Sequence, residues 1–207
     1  MEEIEECLDI FYDNEGAKKN TRYYSWEYCY LFFKEHSVDL INNDELLDLA
    51  SLNLAFYLAS WGMYRGSSQL LQLDYKIHKN VIKALLETCN PLWGNDFEWT
   101  DLQIAQKIIE NNYKKYNVNP TQTLITKILM GIFGCTPAYD RYVILGIKKW
   151  NKTTNKHIPT TFNKISFNEF KILSKSLAQR DLLLKNIPYP PMKLIDTYFW
   201  NLGKNNG

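Results

Sequence analysis

The sequence of 207 residues predicts an all-α fold, a single compact multi-helix domain over residues 1–207. Apolar residues recur at helical spacing from Arg22 to Leu202. No long run of strict alternation is present, and β-branched residues are nowhere dense enough for a central strand. With 45% hydrophobic and 23% charged residues, the composition excludes a disordered chain and a disulfide scaffold. We therefore expect eight or nine helices and no sheet larger than an incidental hairpin.

In the first half of the chain, Asn43 and Asp44 are good N-caps for a helix that is apolar nearly all round. Such a helix is usually the buried central one. The segment Gly66–Ser68 ends this helix and caps the next, with Gly66 as the stop and Ser67 as the cap. The predicted helices of this half are Glu3–Phe11, Arg22–Glu35, Glu45–Met63, Gln69–Glu87 and Thr100–Lys115.

In the second half, a short connection at Gly134–Thr136 joins two predicted helices. Thr136 is a good cap, and Pro137 suits the first helical position because its missing N–H is not needed there. A polar linker over residues 151–162 follows. The predicted helices of this half are Leu124–Phe133, Ala138–Trp150, Ser166–Lys185 and Met192–Leu202.

The charges are balanced overall, at +1, but they are divided along the chain. Residues 1–112 carry a net charge of −10, and residues 113–207 carry +11. A basic half of this kind favours contact with a polyanion, and we expect it to form a continuous basic face beside a cleft. The alternative is that the acidic and basic halves attract each other within one fold.

The N-terminal segment is acidic and polar, unlike a secretory signal, and no apolar run approaches the length of a membrane span. We therefore expect a cytoplasmic protein that does not associate with a membrane. Its four scattered cysteines are expected to be reduced thiols, since none forms a C-x-x-C pair. No ligand spacing supports a zinc site, so neither a metal nor a cofactor is predicted.

The segment Thr126–Val143 (TKILMGIFGCTPAYDRYV) places a lysine at the beginning of one helix and an aspartate in the first turn of the next. With Lys127, Pro137 and Asp140, it resembles the helix-hairpin-helix DNA glycosylases, especially their 8-oxoguanine branch. In that branch a lysine opens a helix, and a Pro-x-Asp or Pro-x-x-Asp element begins the next. Three further blocks resemble those of a widespread bacterial family without an assigned activity; they are Ser60–Ser68, Gly134–Tyr142 and Tyr189–Trp200.

The glycosylase resemblance implies a helix-hairpin-helix architecture and two catalytic residues. Asp140 would stabilise the oxocarbenium ion that develops at the sugar. Lys127 would attack the sugar carbon and form a Schiff base. Both side chains should then line a common pocket, with Tyr139 or Tyr142 nearby to hold a flipped base. The alternatives are that Asp140 only complements the helix dipole or forms an ion pair, and that Lys127 is a solvated helix lysine.

Further nucleic-acid contacts are predicted at two places. Arg65, Ser67 and Ser68 combine a guanidinium with hydroxyls at a helix start, which suits a phosphate, although an ordinary turn between helices has the same pattern. Arg141, Lys148 and Lys149, with Lys152 and Lys156 nearby, form a second basic cluster. Tyrosines could stack on bases, yet aromatic residues at helical spacing are more often core. Trp26, Trp61 and Trp200 are assigned to packing.

The sequence thus predicts a DNA-binding protein that resembles a DNA glycosylase, with excision of a damaged or modified base as its candidate activity. The alternative is a non-enzymatic interaction or regulatory protein on the same scaffold. No Ser-His-Asp, P-loop or dinucleotide signature supports a small-molecule hydrolase or transferase. The sequence leaves the target base, the oligomeric state and catalysis itself open.

Overall fold

The computed structural model describes residues 2–11, 21–179 and 189–204. These residues form nine α-helices and four short 3-10 helices, with no strand among them, which confirms the predicted all-α class. No described helix is both long enough and apolar enough to cross a membrane. The α-helices are α1 (Glu2–Phe11), α2 (Tyr24–His36), α3 (Asp44–Ser60), α4 (His78–Thr88), α5 (Trp99–Lys114), α6 (Gln122–Ile132), α7 (Arg141–Thr154), α8 (Lys164–Gln179) and α9 (Pro191–Lys204).

The chain divides into two compact units. The central unit is Asn20–Phe133 and contains α2 to α6. The terminal unit combines Met1–Lys19 with Gly134–Gly207 and contains α1, α7, α8 and α9. The sequence predicts one domain over residues 1–207, and each unit is described below by itself.

The central unit is built around α6, whose residues from Leu124 to Ile132 are all buried. Helices α2, α3 and α5 pack against it. Gly131 allows α3 to come close, since a Cβ there would lie 2.7 Å from a ring carbon of Tyr57. The prediction that α3 is a buried central helix is confirmed only in part. Helix α3 packs against α2, α4 and α6, but one side of it is open, and Phe56 on that side is 60% exposed.

The stretch Gln69–Glu87 is largely helical as predicted, but it does not form one continuous helix. This stretch begins with two 3-10 helices, Gln69–Gln72 and Tyr75–Ile77, and α4 starts only at His78. Side-chain caps explain the interruptions. Ser68 accepts a hydrogen bond from the Leu70 N–H at 3.3 Å, and Asp74 accepts one from the Lys76 N–H at 2.8 Å. Each cap starts a new turn and thereby interrupts the continuous helix.

The terminal unit is organised by α9, which packs against α1, α7 and α8. Its residues from Leu194 to Trp200 are all buried. The contact with α7 is the closest one, because two glycines lie where the backbones meet. A Cβ on Gly146 would overlap the carbonyl of Phe199, and a Cβ on Gly203 would overlap the carbonyl of Tyr142. Residues 180–185 of the predicted helix Ser166–Lys185 lie outside the described residues.

Candidate functional site

Lys127 lies on α6 in the core of the central unit and is only 2% exposed. Its ammonium nitrogen is 5.2 Å from the centre of the Trp61 ring, within the range of a cation–π contact. The guanidinium of Arg22 lies 5.0 Å from the same ring. The indole N–H of Trp61 donates a hydrogen bond to the Ser25 hydroxyl at 3.2 Å, which fixes the orientation of the ring. The expectation of a solvated lysine is therefore wrong, and Trp61 does more than fill the core.

Asp140 is the N-cap of α7, and the helix itself starts at Arg141. Its carboxylate accepts hydrogen bonds from the N–H groups of Tyr142 at 3.0 Å and Val143 at 3.1 Å. The cap is thus one residue before the helix, whereas the sequence placed Asp140 in the first turn. The carboxylate also lies at the positive end of the helix dipole, an arrangement that is common at helix starts.

The predicted cap at Thr136 and the predicted helix start at Pro137 are wrong. The hydroxyl of Thr136 donates to the carbonyl of Pro137 at 3.3 Å, so it does not cap a following turn. The next N–H group, that of Ala138, donates to the carboxylate of Asp196 at 2.9 Å. This contact with α9 holds the chain outside a helical path until Asp140.

Asp196 was not singled out in the sequence, although it anchors the segment that leads to Asp140. Its second carboxylate oxygen accepts from the Lys193 ammonium at 2.9 Å, and both side chains are largely buried. The N–H of Asp140 donates in turn to the carbonyl of Ala138 at 2.7 Å. The only sequence signal for Asp196 was an acidic residue three positions after a lysine within the apolar run of α9.

Lys127 belongs to the central unit and Asp140 to the terminal unit. The common pocket expected for these two residues stays a prediction.

The two tyrosines near Asp140 lie in different environments. The ring of Tyr139 is fully buried against Phe162 and Phe170, and its hydroxyl donates to the Ser166 hydroxyl at 2.7 Å. This ring presents no face on which a base could stack. Burial raises the pKa of Tyr139 above its usual value. Tyr142 is partly exposed and packs edge-on against Trp200, with ring centres 5.6 Å apart.

The side of α7 that faces away from α9 is basic. Val143, Gly146, Ile147 and Trp150 are the buried residues of this helix. We use the name basic face of α7 for its four exposed cationic residues, Arg141, Lys148, Lys149 and Lys152. Within the described part of the chain, none of these four side chains forms an ion pair with a carboxylate.

Arg65, Ser67 and Ser68 line a cleft of about 440 Å³ in the central unit. We call it the Arg65 cleft. Its walls are the loop after α3 and the segment that leads into α6, and the further lining residues are Gly62, Met63, Gln69, Leu70, Val118, Asn119, Thr121 and Leu124. Arg65 is the only charged side chain among these lining residues. The Ser68 hydroxyl is engaged within the chain, because it donates to the carbonyl of Met63 and caps the following 3-10 helix.

Tyr64, next to Arg65 in the chain, hydrogen-bonds to a buried histidine. Its hydroxyl lies 2.6 Å from Nε2 of His78, and Nδ1 of His78 contacts the hydroxyl of Tyr113. Burial lowers the pKa of His78 to about 3, so the ring is neutral at physiological pH. A neutral imidazole has one donor and one acceptor nitrogen, so one tyrosine donates to the ring and the other accepts from it. Burial, with a smaller contribution from Asp74, raises the pKa of Tyr64 to about 12.

The comparisons with known proteins found no match among protein-family models, curated proteins or solved structures. Among the described residues, no group of three or more histidine, cysteine, aspartate or glutamate side chains is arranged to hold a metal ion.

Proposed function

We propose that this chain binds DNA and excises a base from it. The observation that carries the DNA-binding part is the basic face of α7, where four exposed cations have no carboxylate partner within the described residues. Cations that are not neutralised by the protein's own acids are available to replace the counterions condensed on a polyanion.

The spacing of these residues suits a nucleic-acid backbone. Arg141, Lys148 and Lys152 are separated by seven and four positions, so they lie along one side of the helix. The distance from Arg141 to Lys152 along the helix axis is about 16 Å, given a rise of 1.5 Å per residue. Double-stranded DNA carries one phosphate per strand about every 3.4 Å of its axis. One helix face of this length can therefore contact several phosphates of the same duplex.

The excision part of the proposal rests on the resemblance around Lys127 and Asp140. In this reaction the ammonium of Lys127 first gives up a proton, the neutral amine attacks C1′ of the sugar while the bond from C1′ to the base breaks, and the departing base takes up a proton. Ring opening of the sugar then gives a Schiff base. The ionised carboxylate of Asp140 stabilises the positive charge that develops at C1′. The cap at the start of α7 holds this carboxylate in one position.

Two measurements test the proposal. The first is DNA affinity as a function of salt. Four phosphate contacts correspond to a slope of about −3.6 in a plot of log K against log salt, and the double variant Lys148→Gln, Lys149→Gln should reduce it to about −1.8. The matched control is Lys34→Gln with Lys83→Gln, two exposed lysines of the central unit, which should leave the slope unchanged. A slope near zero for the unmodified protein would contradict DNA binding.

The second measurement is an excision assay on duplexes that each contain one damaged base, with borohydride added to trap the Schiff base. Trapping that is lost in Lys127→Gln supports the assigned nucleophile, whereas trapping that survives in this variant places the nucleophile elsewhere.

The second candidate function is a non-enzymatic interaction or regulatory protein on the same scaffold. It is favoured by one observation, namely that the carboxylate of Asp140 already has a structural role as the cap of α7. Steep salt dependence without excision on any duplex of the panel would support this candidate over a glycosylase.

A further inference from the structure

We propose that the Arg65 cleft binds a nucleotide through its phosphate group. This inference goes beyond the proposed function, since it concerns a different set of residues and does not depend on base excision. The nucleotide can be free in solution or part of a strand, and the experiment below distinguishes these two sources.

The charge of the cleft favours an anion. Arg65 is exposed, and within the described residues its guanidinium has neither a carboxylate partner nor a hydrogen bond. No acidic residue lines the cleft. A guanidinium presents donors in a planar fork that fits a phosphate, and this match makes arginine a frequent phosphate ligand.

Two neutral donors line the same cleft. The hydroxyl of Ser67 and the side-chain amide of Asn119 both line the cleft, and neither makes a hydrogen bond within the part of the chain that the structure describes. They come from the two opposite walls. An anion bound by Arg65 can therefore receive hydrogen bonds from both walls.

The cleft is held in shape before any ligand binds. Gly62, with a φ of 81°, leaves room for the Arg65 side chain, because a Cβ at this position would lie 2.7 Å from the guanidinium Nε. Gln69 joins the two walls: its amide donates to the carbonyl of Asn117 at 3.1 Å and accepts from the N–H of Asn119 at 2.9 Å. A preformed cleft loses less conformational entropy on binding than two unconnected loops would.

The remaining lining suits the rest of a nucleotide. Met63 is partly exposed, and Leu70, Val118 and Leu124 lie beneath the surface of the cleft, each at most 5% exposed. The volume of about 440 Å³ is within the range of small-ligand sites, which is roughly 300 to 1,000 Å³. An inorganic phosphate would fill only a small part of it. The combination of one cation, two donors and an apolar wall therefore points to a phosphate ester with a base or sugar attached.

The experiment measures binding of dAMP, deoxyadenosine and inorganic phosphate by calorimetry or NMR titration. We expect dAMP to bind more tightly than either of the other two compounds. Arg65→Gln should weaken dAMP binding by about tenfold or more, the effect of losing one charge-assisted hydrogen-bonded contact. The matched control Lys83→Gln removes an exposed cation on α4 and should bind dAMP like the unmodified protein. Because Arg65 is exposed, its replacement should leave the circular dichroism spectrum and the unfolding midpoint unchanged.

Two further arms separate the sources of the phosphate. A short single-stranded DNA with a 5′-phosphate is compared with dAMP on the same variants. Binding of both probes that depends on Arg65 identifies a site for free nucleotides, and binding of the strand alone identifies a site for a nucleotide within a strand.

The inference is overturned if neither dAMP nor the phosphorylated strand binds, or if deoxyadenosine binds as tightly as dAMP. It is also overturned if the affinity of Arg65→Gln for dAMP is within about twofold of that of the unmodified protein. Lys148→Gln with Lys149→Gln should leave dAMP binding unchanged. The experiments therefore distinguish a loss of duplex binding by the basic face of α7 from a loss of nucleotide binding in the Arg65 cleft.

Discussion

The ammonium nitrogen of Lys127, on α6, lies 5.2 Å from the centre of the ring of Trp61, the residue that follows the end of α3. A buried ammonium loses hydration, and the electron-rich face of an indole replaces part of it. The two side chains should therefore be energetically coupled.

A double-mutant cycle measures this coupling. We expect Trp61→Leu and Lys127→Met each to change the free energy of unfolding, and the double variant to differ from their sum by about 0.5–2 kcal/mol. Methionine replaces the lysine stem with an uncharged chain of similar length, so packing is largely preserved. Chemical denaturation of the four proteins gives the coupling energy, and a value near zero would mean that the ring does not stabilise the ammonium.

Asp140→Asn separates the role of Asp140 as the cap of α7 from its proposed role in base excision. Asparagine caps helices as well as aspartate, so the free energy of unfolding should stay within about 0.5 kcal/mol of the unmodified value. Excision requires the negative charge, so its rate should fall by about 100-fold or more. Asp140→Ala should also lose the cap, at a cost of about 1 kcal/mol.

Denaturation, DNA binding and single-turnover excision are measured on both Asp140 variants. If excision proceeds at the unmodified rate in Asp140→Asn, then the carboxylate acts only as a cap. In that case the interaction-protein candidate replaces the glycosylase.

The sequence predicted the elements whose ends are set by neighbouring residues. The N-cap Asn43, which accepts from the Leu46 N–H at 3.0 Å, starts α3 as expected. The start of α7 was missed because two adjacent signals compete, Thr136-Pro137 and Asp140. Judged from the neighbouring residues alone, the helix could start at either position. A residue 58 positions away from Ala138 decides between them, since Asp196 binds the Ala138 N–H.

The residues of the candidate sites also divide into those with a local sequence signal and those whose partners lie far along the chain. Arg65 and Ser67 could be proposed from the sequence because a glycine next to hydroxyl and guanidinium groups is a local pattern that suits a phosphate. Trp61 and His78 could not be assigned correctly, because their polar partners lie far along the chain. Their indole and imidazole groups follow an apolar or helical pattern that is typical of core residues.

His78 makes stability depend on pH in a defined direction. Its pKa in the folded protein is about 3, lowered by burial, whereas an unfolded histidine has a pKa of 6.5. The unfolded chain therefore binds the proton first as pH falls, and this contribution to stability is complete above pH 6.5 and is lost below it. Between pH 6 and pH 5 the loss should be about 1 kcal/mol.

The measurement compares the pH dependence of unfolding in three proteins. His78→Gln should remove this loss between pH 6 and pH 5, whatever its own absolute stability. His157→Gln, which replaces an exposed histidine, should retain it. In addition, NMR of the His78 ring at pH 5 should report a neutral imidazole. A protonated ring at that pH would contradict the burial argument.

Gly146 should tolerate no side chain, because α7 and α9 meet there backbone to backbone. A Cβ at this position would overlap the carbonyl of Phe199, so the helices of the terminal unit would have to move apart. We expect Gly146→Ala to destabilise the protein by about 1–3 kcal/mol in spite of the higher helix propensity of alanine. Gly94→Ala is the matched control, since φ at Gly94 is −89° and the nearest atom to a new Cβ would be 3.4 Å away. Alanine at Gly94 should be close to neutral in a thermal or chemical denaturation. Equal stability of the two variants would mean that the α7–α9 contact adjusts to a methyl group without cost.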